Sequence, residues 1–442
     1  MRSRWEDSTA RLTRILFTLA LPTIVEEILA TLLQYVDTAM VGQLGERATA
    51  AVSLTTNITW LVNSVPGAIG TAILILIAKA EGEGDRIQIR RLSQQAFFLA
   101  VLSGLVLGII SVMASPFIPG WMGAEKAVQR EASGYFTIIS IPMVFRSVST
   151  VLAAALRAVR NTRIPMLISL ISNGMNILLN YILIYRAGLG VAGAAIASAV
   201  SYTVSGILMM QACRRNPLLS WKCREFSVEP GLLAKCASTG LPVLGTSAVS
   251  CLGYVVFAGL VSGMGTTIFA AHSIAVTAET IFYVPGYGLR SAVSTLISSA
   301  RGENDEKKMK QTGWISVWLT VGMMCLSGVI LYIGAVPLMS IFTPSARVVS
   351  LGAQMLRLVA LSEPFFGLMV ILEGIFYGMD RTRYPLLVET IGMWGVRICL
   401  TYMCVQVWGL GLRAVWYCMI ADNICKATLF TVPFIKKTVW KF

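Results

Sequence analysis

Charge is what this chain has least of. Only 13% of its 442 residues are Asp, Glu, Lys or Arg, against about 25% in a soluble domain. Histidine occurs once, as His272, which excludes His-rich metal sites. The nine cysteines form no CxxC and no Cys/His cluster, so neither structural zinc nor a disulfide framework is expected. Three of them, Cys213, Cys223 and Cys236, fall in or beside the longest inner loop, where a reducing cytosol keeps thiols free. HExxH, GxSxG and phosphate-cradling glycine patterns are missing, as is any soluble domain, so the chain does not read as an enzyme. In place of charge it has 56% hydrophobic residues and a mean hydropathy of +0.72. A water-soluble protein of that composition could not cover its own surface. The expected fold class is an all-α polytopic membrane protein.

A span needs roughly 20 apolar residues, and the apolar runs predict twelve. They fall near 15–40, 48–78, 93–114, 135–156, 164–185, 189–212, 233–260, 267–298, 313–335, 354–377, 385–408 and 411–433. The net charge of +14 would suit a nucleic-acid partner if it were clustered on one surface. Its placement excludes that. With the N-terminus inside, 25 of the 36 Lys and Arg lie in inner segments, among them Arg2, Arg4, Lys222, Arg224 and Lys441. Seven lie outside: Arg47, Lys126, Arg130, Arg186, Arg347, Arg357 and Arg413. This bias follows the positive-inside rule and puts both termini in the cytoplasm. The first apolar run follows a basic and acidic start and is long enough to span, so no cleavable signal peptide is expected.

Shifted by 220 residues, the sequence matches itself. Leu21-Pro22 meets Leu241-Pro242, Ala50-Ala51 meets Ala270-Ala271, and Thr162-Arg-Ile-Pro165 meets Thr382-Arg-Tyr-Pro385. Val65-Pro66-Gly67 meets Val284-Pro285-Gly286 at 219, and Gly188-Leu-Gly190 meets Gly409-Leu-Gly411 at 221. Landmarks kept in one order mark a duplication. Six spans per half is an even number, so both halves enter the membrane alike and a pseudo-twofold axis along the membrane normal relates the two six-helix bundles. The expected organisation is an N-lobe over 1–213, a cytoplasmic linker over 214–232 and a C-lobe over 233–442. Two parallel bundles that rock to alternate access are a transporter architecture. Pro22 and Pro242, at equivalent places in the first span of each half, are the candidate hinges because a missing N–H permits a bend.

Pro22, Val36-Asp-Thr-Ala-Met-Val-Gly-Gln-Leu-Gly45 and Ala50-Ala51 resemble the first span of multidrug and toxic compound extrusion (MATE) transporters. Ala270-Ala-His-Ser-Ile274, Pro285-Gly-Tyr-Gly288, Gly392-Met-Trp-Gly-Val-Arg397 and the arginine-rich segments 156–163 and 377–383 extend the resemblance over essentially the whole chain. It implies efflux of organic, often cationic, compounds coupled to inward H⁺ or Na⁺ flow, with no cofactor beyond the transported ion. It also implies a monomer surrounded by lipid in a prokaryotic cell membrane.

An ionisable group at span depth is costly, so each calls for a reason. Asp37 sits in the apolar stretch Tyr35-Val-Asp-Thr-Ala-Met-Val, and its 220-shifted counterpart is Phe257. A buried carboxyl's protonation follows its surroundings, which is what ion coupling in one half requires. Asn176 and Asn180, four residues apart on one helical face, match the family pattern of Asn, three residues, then Asp or Asn, and Ser198 in span 6 stands where relatives often have a hydroxyl, so the resemblance implies that they complete a cation-coupling pocket. The resemblance implicates such a set in binding H⁺ or Na⁺. Asn180 stands where relatives often have Asp, and one carboxylate with neutral oxygens favours H⁺. The alternative for the asparagines is interhelical hydrogen bonding. Span 7 has no acid over 248–254, where some relatives carry an essential glutamate.

In the second half Glu279, Tyr283, Tyr287, Glu373, Trp394 and Arg397 are the candidate substrate cavity, with acids as counter-charges and aromatic faces for a cation. Alternatively Arg290 or Arg397 pairs with Glu279, Glu373 or Glu389 and nothing binds there. His272 is expected to hydrogen-bond locally. The sequence thus reads as an H⁺-coupled antiporter for organic cations. A flippase for lipid-linked saccharides, or a dedicated exporter of one cationic metabolite, is the alternative; a flippase would line its cavity with cations to meet phosphate.

Overall fold

The structure is a computed structural model, and it describes residues 2–122, 125–221 and 227–440. Lys222, Cys223, Arg224 and Lys441 lie outside the described residues, as do the side chains of Arg2 and Arg4 and the middle of the expected linker. The described chain is helical, without strands. The first half runs α1 Arg2–Gly42, α2 Glu46–Glu83, α3 Arg86–Ala114, a short α4 Ile118–Trp121, α5 Lys126–Ser140, α6 Met143–Ala158, α7 Arg163–Asn180 and α8 Gly190–Arg215. The second repeats it as α9 Pro230–Ser262, α10 Thr266–Gly302, α11 Glu306–Phe342, α12 Ala346–Ala360, α13 Glu363–Gly378, α14 Arg383–Thr390, a short α15 Cys399–Tyr402 and α16 Leu412–Ile435.

Among the described residues ten helices or helical runs are long and apolar enough to cross a membrane, and two bent pairs bring the number to twelve. The runs expected as spans over 135–156 and 354–377 are bent, between α5 and α6 by 52° and between α12 and α13 by 55°. Pro142 precedes α6 and Pro364 opens α13, and neither can donate the N–H that would continue the preceding helix.

The duplication extends to backbone geometry. Gly45 and Gly265 precede α2 and α10 with φ of 108° and 111°, a region closed to side chains. Arg160 and its counterpart Asp380 both turn left-handed, at 61° and 59°. Asp85 caps α3 by accepting from the amides of Ile87 and Gln88 at 3.0 and 2.9 Å, and Asp305 caps α11 by accepting from Lys308 N at 2.9 Å.

One difference between the halves has a structural cause. The offset is 220 at Thr162/Thr382 and 221 at Gly188/Gly409. Between them lie π-helical turns. Tyr181–Arg186 in the first half matches Met403–Val407 in the second, but Ile391–Ile398 has no counterpart in α7. A π turn is how a helix absorbs one inserted residue, so this segment holds the extra one.

Packing groups the chain into two compact units, Ile28–Leu244 and Met1–Glu27 with Gly245–Phe442. The divisions fall inside α1 and α9, a few residues past Pro22 and Pro242. In the second unit the start of α1 is built into the core: Leu16, Leu19 and Ala20 pack with Leu289, Val293, Ile371 and Ile375. Thr23 Oγ1 donates to the Gly288 carbonyl at 2.9 Å. Gly288 is required there, because a Cβ would stand 2.7 Å from the Ile24 backbone. In the first unit the start of α9 packs on α2, where a Cβ on Gly240 would meet Ala72 at 3.4 Å.

Candidate functional site

The four residues expected to form the coupling site come together in the Ile28–Leu244 unit. Local packing sets their positions. Tyr185, in the π turn after α7, donates to the Met40 carbonyl at 3.0 Å and lies 2.9 Å from Gln43 Oε1, tying that turn to the end of α1. Gly193 lets α8 close on the same turn, since a Cβ there would stand 2.9 Å from Leu183 C and O. Asn176 and Asn180 then face inward on α7, opposite Asp37 of α1 and Ser198 of α8.

The four side chains form one chain of hydrogen bonds. Asn176 Nδ2 donates to Ser198 Oγ at 3.2 Å, and Asn180 Nδ2 donates to Asn176 Oδ1 at 2.9 Å and to Asp37 Oδ1 at 2.6 Å. Asn176, Asn180 and Ser198 are buried, whereas Asp37 is half-buried. The Asn180 Oδ1 oxygen, fully buried, accepts nothing. The set is a carboxylate beside an unused amide oxygen, with its other polar groups linked to each other. Such an oxygen cluster has the chemistry to take a proton or a small cation, and its hydrogen bonds also join α7 to α8 and α1, as the interhelical alternative for the asparagines expects. Two further groups belong to the bent span. Tyr135 of α5, which went unnoticed in the sequence, packs on the cluster of Val41, Ala48, Ile184 and Ala194, and Arg146 of α6, one of the cations that the sequence places within a span, lies 4.4 Å above the ring of Tyr202.

The residues expected as a substrate cavity do not form one group in the other unit, and Glu279, buried in α10, is in none of the ion pairs below. Glu373 accepts from Arg290 at 2.5 Å and from the Tyr377 hydroxyl at 2.8 Å, and Arg290 lies 4.7 Å above the Tyr287 ring. Tyr287 and Tyr283 gather around Phe366, at 6.1 and 5.1 Å between ring centres. Arg397 is buried elsewhere. Its Nε lies 2.9 Å from Asp422 Oδ2, and Lys426 bridges Asp422 at 3.2 Å and Glu389 at 2.9 Å. Ser250 Oγ donates to Glu389 at 2.5 Å. Two cations and two acids therefore balance. The pairing alternative holds for Arg290 and Glu373, while Arg397 takes Asp422, which no expectation named as its partner; the i, i+4 spacing of Asp422 and Lys426 was the available signal. Gly392, inside the unmatched π turn, makes the network possible: a Cβ there would stand 2.3 Å from Asp422 Oδ1 and from Lys426 Cε.

Trp394 makes none of these contacts. It is exposed, and its indole donates to the Val249 carbonyl at 3.1 Å. His272 is wedged between the rings of Phe257 and Trp416 at 5.6 and 5.7 Å, and its Nδ1 lacks the local hydrogen bond expected of it.

A duplicated, all-helical, multi-pass chain with an oxygen cluster in one half and neutralised charges in the other is built as a membrane transporter is. The MatE family model matches residues 22–182 and, a second time, 242–403. The chain belongs to the MatE family of membrane transporters. It is 28% identical over 435 residues to "Probable multidrug resistance protein NorM" of Thermotoga maritima, covering 95% of this chain and 91% of that one. It is 23% identical over 431 residues to "Multidrug resistance protein NorM" of Burkholderia vietnamiensis, covering 95% and 93%. Two solved structures share its fold. An outward-facing multidrug resistance MATE transporter of the MOP superfamily superposes with a TM-score of 0.93 at 20% identity, covering 98% of this chain and 97% of that one. The Vibrio cholerae MATE transporter VcmN gives 0.91 at 18% identity, covering 98% of each.

Proposed function

We propose that this protein is an antiporter that exports organic, cationic compounds in exchange for protons, with Asp37 as the coupling group. Asp37 with a proton and Asp37 without one are two states of the same hydrogen-bonded chain. The charged form accepts from Asn180; the protonated form has a donor of its own and an unused acceptor, Asn180 Oδ1, in the same cluster. That orphan oxygen beside the single carboxylate is the observation that carries the reading. Protons are favoured over Na⁺ because the site has one formal negative charge and its amide nitrogens already engage three of its oxygens. Multidrug resistance relatives support organic compounds as the solutes. Tyr283 and Phe366 supply aromatic faces suited to flat cations, whereas Glu373 and a face of Tyr287 are taken by Arg290. Both termini face the cytoplasm, following the Lys/Arg distribution, and Pro22 and Pro242 allow the bends that alternate access between the two sides.

Everted membrane vesicles loaded with a fluorescent organic cation test the reading. Dye movement is expected under an imposed pH gradient and unchanged when Na⁺ is replaced by choline at fixed pH. Movement that follows the Na⁺ gradient and ignores the pH gradient would assign the opposite ion.

A further inference from the structure

The Ile28–Leu244 unit holds a permanent cation at span depth without a counter-charge. Arg146 lies in the span formed by the bent pair α5 and α6. It stands about 16 Å of helix before Arg157, where α6 leaves the span. That distance is too long for its side chain to reach the headgroup layer. Among the described residues it makes no ion pair and donates no side-chain hydrogen bond; what holds it is the Tyr202 ring, 4.4 Å below the guanidinium carbon.

The fold fixes this pose. Gly206 lets α8 close on α6, since a Cβ there would stand 2.5 Å from the Phe145 carbonyl. Ser149 and Ser205, each three residues beyond Arg146 and Tyr202, meet at 2.7 Å between their hydroxyl oxygens. The other sides of α6 are filled. Ser147 meets Ser103 of α3 at 3.0 Å, and a Cβ on Gly70 of α2 would meet Ala154 at 3.3 Å. Arg146 is left on the face of α6 between α2 and α8. It shares that face with Thr150, which is exposed and donates to the Arg146 carbonyl at 3.1 Å. The exposed face of α3 carries Leu102, Leu105 and Ile109, as lipid requires; that of α6 carries arginine and threonine, as water requires. Tyr202 is one turn from Ser198 on the same face of α8, so one turn of helix separates the cation's support from the oxygen cluster. The 220-shifted counterpart of Arg146 is Phe366, so the cation, like Asp37, belongs to one half only.

A guanidinium at this depth is retained where water or an anion meets it. With one face on a ring and its N–H groups unused, it is preset to grip a planar oxyanion by two parallel hydrogen bonds. Lipid phosphates stay in the headgroup layer, away from this depth, so the anion arrives with the solute. We infer that Arg146, oriented by Tyr202, is a specificity residue that binds a carboxylate carried by the exported compound. The preferred solutes are then zwitterions that join a cationic aromatic part to a carboxylate. The inference rests on the export reading above for its solute, and not on which ion drives export.

The experiment compares two fluorescent dyes, a rhodamine with a free benzoate carboxylate and the methyl ester of the same rhodamine. Their binding to the purified, full-length protein is read by fluorescence anisotropy. The parent is expected to bind the acid about tenfold more tightly than the ester. Arg146→Gln should lose or reverse that preference, and Arg146→Lys should keep part of it, because a point charge remains without the planar fork. Equal affinities in the parent, or a preference that Arg146→Gln retains, overturn the inference. If Arg146→Gln fails to elute as a folded species, benzoate competition on the unsubstituted chain replaces it. Benzoate that displaces the acid at concentrations that leave the ester bound supports the site; equal displacement of both contradicts it. The two readings fail separately. An ester that is bound and moved by a pH gradient, with no preference for the acid, leaves cation export standing and removes this site. A preference for the acid without proton-driven movement of either dye keeps the site and removes the export reading.

Discussion

Asp37, Asn176, Asn180 and Ser198 occupy places that the other half fills with Phe257, Arg397, Thr401 and Met419, counting 220 to the first and 221 beyond the π insertion. The two clusters rest on equivalent helices of the two halves, yet their chemistry is opposite. The first is a carboxylate among neutral oxygens, with one buried acceptor unused. The second is a permanent cation locked to Asp422, its guanidinium 5.7 Å from the Phe257 ring. One holds a carboxylate that no cation pairs among the described residues, whereas the other is neutralised by its own neighbours. The duplication supplies the frame twice, and in the second copy Arg397, within the unmatched π turn, pairs with Asp422 of α16.

Removing one partner from that network is expected to have the largest effect on the fold. Asp422→Asn leaves Arg397 and Lys426 buried with half their counter-charge, a loss of about 3–5 kcal/mol, read as a clear fall in the detergent melting temperature. Next comes Gly392→Ala, whose methyl would press on Asp422 and Lys426; a cost of about 1–3 kcal/mol is expected for overpacking. Gly395→Ala, on the same turn with nothing within 4 Å, should leave the melting temperature nearly unchanged. If both glycine variants melt alike, the insertion has no bearing on the network. In the oxygen cluster the order reverses. Asp37→Asn is expected to change stability by less than about 1 kcal/mol, since the half-buried site loses a charge and keeps its shape, but to abolish pH-driven dye movement. Ser198→Ala removes one neutral hydrogen bond at 3.2 Å, about 1 kcal/mol, and should slow transport without ending it.

Much of this was legible in the chain. Apolar runs locate the twelve spans because burial in lipid leaves no other reading of such composition, and the 220-residue repeat announces the halves. Asp37 stood out as an unmatched acid and helical spacing put Asn176 and Asn180 on one face, but it was the family resemblance that grouped them with Ser198. The bends were not legible as angles: Pro142 and Pro364 show where a helix weakens but not that it turns by 52° or 55°. The partner of Arg397 depended on the π turn, which appears in the sequence only as an offset that changes by one.

Proton release on solute binding tests the central proposal most directly. In weakly buffered detergent solution, adding a permanently charged organic cation to the purified protein should release protons, because solute and protonated Asp37 exclude each other. Affinity should therefore rise with pH, and Asp37→Asn should bind the cation with no release and no pH dependence arising from this group. Equal release from the parent and Asp37→Asn proteins would show that the exchange is carried elsewhere.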